Sequence, residues 1–157
     1  MKAASLAELK KELFSTPPER VLELCLHLAK YKKENKELLS YLLFEADDEA
    51  NYIKNVKDEV DEQFKKLNKS SLFLAKKTFR KILRTTNKHI KYSGSKRTEV
   101  ELLIYYCKKL KTSGVSIHRS VALANIYLRQ IQKINKALAT LHEDLQFDYK
   151  EELKPLL

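Results

Sequence analysis

Hydrophobic positions recur along this chain at spacings of three and four almost without interruption, the period of helix and not of strand. The first stretch predicts a short helix from about Ser5 to Leu13, with Leu6, Leu9 and Leu13 on one face. Ser15-Thr16-Pro17-Pro18-Glu19 follows and reads as a new start, with Thr16 as N-cap, Pro17 first in the helix and Glu19 closing a capping box. The second helix then runs from about Pro17 to Lys33. Val21, Leu22, Leu24, Cys25, Leu26, Leu28 and Ala29 make it apolar on nearly every side, a pattern expected of a helix enclosed by others. The third, about Asn35 to Ala46, carries Leu38, Leu39, Tyr41, Leu42, Leu43 and Phe44 and is expected to be central too.

Beyond Ala46 the helices become amphipathic. Asp47 or Asp48 can cap a fourth, about Glu49 to Leu67, with Ile53, Val56, Val60, Phe64 and Leu67 in one stripe. Ser70 can cap a fifth, about Ser71 to Tyr92, whose inward positions include Leu72, Ala75, Phe79 and Ile82. Gly94 stands where a left-handed residue ends a helix, and Ser95 opens a sixth, about Lys96 to Thr112. Gly114 ends that one, and Ser116 is placed to cap a long last helix, about Ile117 to Phe147. In it, Ala124, Tyr127, Ile131, Ile134, Leu138, Leu141 and Leu145 alternate spacings of three and four over three heptads. That seam suits an antiparallel hairpin with the sixth helix. The alternative is self-association as a homodimer, because the last helix outruns the sixth. Residues 148–157 are polar until Pro155-Leu156-Leu157 and are expected to form a loose tail. The expectation is an all-α single domain of about seven helices, either a bundle or a short array of stacked αα-hairpins.

Composition narrows the functional classes. The 157 residues include only two glycines and three prolines, and both glycines are used to end helices. None remains for a phosphate loop or an oxyanion turn, and no nucleotide-binding, hydrolase or zinc-protease motif is present. Glu23 and His27 share a helix face, but no second pair completes a di-metal site, so no metal or cofactor is expected. Cys25 and Cys107 lie in apolar stretches and read as reduced core thiols. No run of 18 apolar residues exists, and Glu8 and Glu12 make Met1 to Leu13 a poor secretory signal. A cytoplasmic location is the expectation.

The net charge of +10 is concentrated. Residues 45–62 hold eight acids and two bases, whereas residues 63–98 hold twelve bases and no acid. Lys76, Arg80, Arg84 and Lys88 repeat every four residues, flanked by Lys77, Lys81 and Lys91, so they form one stripe on the fifth helix. Such a stripe can bind a polyanion such as nucleic acid. It can equally be solvated, or pair with the acids of the fourth helix. In the pairing case Lys76 and Lys77 would meet Asp58, Glu59, Asp61 and Glu62, and Arg84, Lys88 and Lys91 would meet Asp47, Asp48 and Glu49. Ser116, His118 and Arg119 could hold an anion at a helix start. The leading expectation is a non-enzymatic interaction module. Sequence-nonspecific polyanion binding is the alternative.

Overall fold

The computed structural model describes residues Met1–Leu157. It contains eight α-helices, two short 3-10 turns and no strand. The helices are α1 (Leu6–Ser15), α2 (Pro18–Tyr31), α3 (Lys33–Phe44), α4 (Glu49–Lys65), α5 (Leu72–Ser93), α6 (Lys96–Lys111), α7 (Val121–Leu138) and α8 (Glu143–Leu153). The chain divides into two compact units, Met1–Phe44 and Glu45–Leu157.

The core belongs to the second unit, and α6 is its centre. Helices α4, α5, α7 and α8 all pack on α6. Thr98, Val100, Leu102, Leu103, Ile104, Tyr106, Cys107 and Leu110 of α6 are accordingly buried. Four helices thus pack around a fifth and leave Lys96, Arg97 and Lys111 of α6 exposed. The Tyr106 ring sits among Phe64 and Phe79, and its hydroxyl donates to the Phe79 carbonyl at 3.0 Å. Burial pushes the Cys107 thiol up to about 12, so it is an inert core thiol. Ser71, Ser95 and Ser120 cap α5, α6 and α7 through their hydroxyls. Gly94 closes α5 at φ 66°, with its N–H on the Ile90 carbonyl.

The last helix is not continuous. It breaks after Leu138, and α8 begins at Glu143 behind an N-cap at His142, whose ring accepts the Asp144 N–H at 3.3 Å. Glu143 and Asp144 fall in the first turn of α8, where the helix dipole favours acids. The four-residue break keeps Leu141 and Leu145 on the core side, so the heptad spacing hid it. The expected loose tail is also corrected. Tyr149, Leu153 and Leu156 are buried, and the Tyr127 hydroxyl donates to the Leu156 carbonyl at 2.8 Å.

The first unit departs further from expectation. Helix α2 buries no residue and α3 buries only Tyr41. Asn35 closes their turn by donating to the Leu28 carbonyl at 2.8 Å. The apolar girth of α2 predicted a helix enclosed on all sides, but in this unit only α3 packs against α2, and a single neighbour covers one side. Helix α1 is also left exposed. The helix start shifts as well. Pro17 precedes another proline, which holds it extended at φ −58° and ψ 144°, so α2 opens at Pro18. Thr16 therefore ends α1, donating to the Glu12 carbonyl at 2.8 Å, and the true capping box is Ser5 with Glu8.

Candidate functional site

The basic stripe survives folding with most of its charge unsatisfied. Lys77, Arg80, Lys81, Arg84 and Lys91 are exposed on α5, and Lys76 and Lys88 are half-buried. Lys76, Lys77, Arg80, Lys81, Arg84 and Lys91 form no ion pair. Four of the acids expected to neutralise them bond other groups. Glu59 accepts from His89 Nε2 at 2.9 Å. Asp61 accepts from the Tyr105 hydroxyl at 2.7 Å and lies 3.0 Å from Lys109 Nζ. Glu62 pairs with Lys65 on its own helix. Glu49 accepts from the hydroxyls of Ser93 and Thr98. The cause is packing: α4 lies along both α5 and α6, and its acids meet His89 and Ser93 of α5, Lys65 of α4 itself, and Thr98, Tyr105 and Lys109 of α6.

Burial pushes the Asp61 carboxyl up, but its bonds from Tyr105 and Lys109 outweigh this and hold it below the ordinary range. The same contact, with burial first, raises Tyr105 to about 12. Asp61 is thus committed to α6 and is not a counter-ion for α5. Phe73 stands on the same line of α5 as Lys77, Arg84 and Lys91, and it is 72% exposed. The other aromatic near the stripe, Tyr92, is half-buried, with its ring edge-on to His89 and Lys88 Nζ 6.0 Å from its centroid.

The other two sequence candidates change character. Ser116, His118 and Arg119 belong to a 3-10 turn, Ile117–Arg119, and Ser116 makes no capping bond. The α-helix starts later, where Ser120 accepts from the Leu123 N–H. The expected row of free helix N–H groups is therefore not beside Ser116. The heptad seam is spent inside the chain. Tyr127, Ile131, Ile134 and Leu138 are buried, Ala124 and Leu141 are half-buried, and α7 packs on α6. This is the hairpin alternative, and the seam is not a free face for a homodimer.

A third surface escaped sequence reasoning. Between α2 and α3 runs a groove of ≈560 Å³ whose apolar lining is Leu26, Ala29, Leu39, Leu43 and Phe44. Lys30, Lys32, Lys33 and Lys36 rim it, Ser40 completes it, and no acid lines it. Lys33 lies 3.6 Å from Glu37, but Lys30 and Lys36 form no ion pair. A second, smaller groove of ≈370 Å³ holds Cys25, Leu28, Leu38 and Leu42 and shares Ala29 and Leu39 with the first. The signal was present in the apolar girth of α2 beside four lysines, but the pattern reads identically for an enclosed helix.

No group of three His, Cys, Asp or Glu side chains is placed to hold a metal ion, and no helix is long and apolar enough to cross a membrane. Set beside known proteins, the chain matches no family model, no curated protein and no solved structure.

Proposed function

We propose that the protein is a non-enzymatic interaction module that holds an acidic, amphipathic helix of a partner protein in the groove between α2 and α3. The groove itself carries this reading. Its floor is apolar and uncovered, while its rim is four lysines with no acid among them. A partner helix with leucines on one face and glutamates on its flanks would satisfy both. Large exposed apolar side chains cluster in this unit, among them Leu22, Leu26, Leu28, Leu42, Leu43 and Phe44. Single exposed leucines are ordinary, but a contiguous group marks an interaction surface.

Charge argues against a second copy as the occupant. The helix α1 of a copy balances Lys10 and Lys11 with Glu8 and Glu12, so it brings no acidic excess to the lysine rim. Shape argues against a lipid surface. An interfacial helix keeps one polar face toward water. This hairpin has apolar grooves on both sides of its α2–α3 contact line.

The test is the anisotropy of a labelled peptide as long as α2, with leucines at i, i+3, i+4 and i+7 and glutamates elsewhere, titrated with the full chain. Binding is expected, and Leu43→Asp or the pair Lys30→Glu, Lys36→Glu should each weaken it at least about tenfold, ~1.4 kcal/mol. All three positions are exposed, so these variants keep the fold. Equal binding of a peptide with lysines for glutamates, or tighter binding to anionic vesicles, would overturn the proposal.

A further inference from the structure

We infer that the exposed face of α5 is a track for single-stranded nucleic acid, with Phe73 as a base-stacking platform and the basic stripe as the phosphate contact. This uses residues of the second unit alone and stands whether or not the α2–α3 groove binds a helix.

Three observations converge. The first is the array of charge. Lys76, Lys77, Arg80, Lys81, Arg84 and Lys91 are cations without ion pairs on one helix face, over a length of about 22 Å. Like charges at i, i+4 oppose helix formation, and no acid interrupts them between residues 63 and 98. The second is that the neighbouring acids of α4 bond groups other than these six cations. Glu49, Glu59 and Asp61 are bound to Ser93 and Thr98, to His89, and to Tyr105 and Lys109. The stripe's potential therefore reaches solvent, and the residual demand is for an external anion. The third is Phe73. An apolar residue at 72% exposure has no packing role, and it stands in line with Lys77, Arg84 and Lys91 at the N-terminal end of the stripe. An aromatic face beside a row of cations is the combination that binds bases and backbone of an unpaired strand together.

The aromatic decides between strand types. A duplex hides its base faces, so Phe73 would gain nothing from it. An unpaired strand offers a base to stack on Phe73 while its phosphates follow the cations. The stripe spans roughly six stacked nucleotides at about 3.4 Å each. The face offers Asn87 and no other amide side chain, so contacts to phosphate predominate and base sequence is read weakly.

The experiment is fluorescence anisotropy of labelled oligothymidylate and oligouridylate, roughly twelve nucleotides long, against the full chain across a salt series. If all six unpaired cations meet phosphates, log affinity should fall against log salt with a slope of about −4. Arg80→Gln with Arg84→Gln should make the slope shallower by about 1.4. Phe73→Ala should weaken single-strand binding about fivefold or more, with the slope unchanged. Arg129→Glu with Lys133→Glu, a larger charge change on α7, should leave the affinity within about twofold. All five positions are exposed, and circular dichroism of each variant confirms its fold. Absence of binding at low salt, tighter binding to a duplex of the same length, or a larger loss from the α7 pair than from the α5 pair would overturn the inference.

Discussion

Phe79→Ala should lower the stability of the protein by about 3–5 kcal/mol, whereas Leu22→Ala should change it by less than about 0.5 kcal/mol. Both residues belong to strongly apolar helical stretches, and the sequence does not tell them apart. Phe79 is fully buried, with Phe64 6.0 Å away between ring centroids and α6 beneath it. Its truncation leaves a cavity that the surrounding helices can close only in part, and the cavity adds to the lost transfer free energy. Leu22 is mostly exposed on α2, so removing its side chain withdraws little area from contact. Denaturant unfolding of the two variants, at constant m-value, measures the difference. A comparable loss at Leu22 would mean that α2 is covered within the chain.

The second large effect concerns the last nine residues. Ending the chain at Asp148 should remove roughly 5 kcal/mol or more, because three buried apolar side chains contribute about 1.5–3 kcal/mol each. Total stabilities lie near 5–15 kcal/mol, so the truncated chain should be largely unfolded or nearly so. The side chains are Tyr149, Leu153 and Leu156. Polar contacts add to them. Lys108 Nζ lies 2.6 Å from Glu152, and Lys111 Nζ donates to the Pro155 carbonyl at 2.6 Å. Glu101 accepts from the Tyr149 hydroxyl at 2.6 Å and from Arg97 Nε at 3.2 Å, and Lys57 Nζ lies 3.5 Å away.

The docking of α8 should also be sensitive to acid. Burial pushes the Glu101 carboxyl up, but Tyr149, Lys57 and Arg97 together outweigh it and hold the group below the ordinary 4.5. A depressed carboxyl stabilises the fold fully above its unfolded value. Its contribution is lost as the pH falls from 4.5 through the lower folded value. Glu101→Gln should therefore lower stability at neutral pH and flatten the loss below pH 4.5. Urea midpoints of the full chain and of Glu101→Gln over that range read this effect, and circular dichroism of the chain ended at Asp148 reads the loss of fold. A truncated chain as stable as the whole would contradict the packing described.

Much of the architecture was legible. The caps at Ser71 and Ser95 and the left-handed Gly94 follow from local backbone chemistry, which acts within a few residues. The hairpin of α6 and α7 follows from a seam whose length demands a partner. What failed depended on distant residues. An apolar girth shows that a helix needs cover but not whether its own chain supplies it, which is why α2 and α3 were misplaced. The break at residues 139–142 was invisible to periodicity, because Leu141 and Leu145 keep their register across it. Of the candidate sites, the stripe on α5 was legible as a row of cations, with solvation and pairing to α4 both open. The bonds of Glu49 and Asp61 were not legible, since the hydroxyls that take them up belong to Ser93, Thr98 and Tyr105, far along the chain.

The central claim is that the second unit carries a closed core while α2 and α3 present an uncovered one. Hydrogen exchange of the full chain, alone and saturated with the acidic amphipathic peptide, tests it most directly. The account predicts that amides of α6 and α7 exchange slowly throughout, that those of α2 and α3 exchange far faster in the free protein, and that the peptide slows α2 and α3 alone. Amides of α2 and α3 as slow as those of α6 in the free protein, or unchanged by saturating peptide, would contradict it.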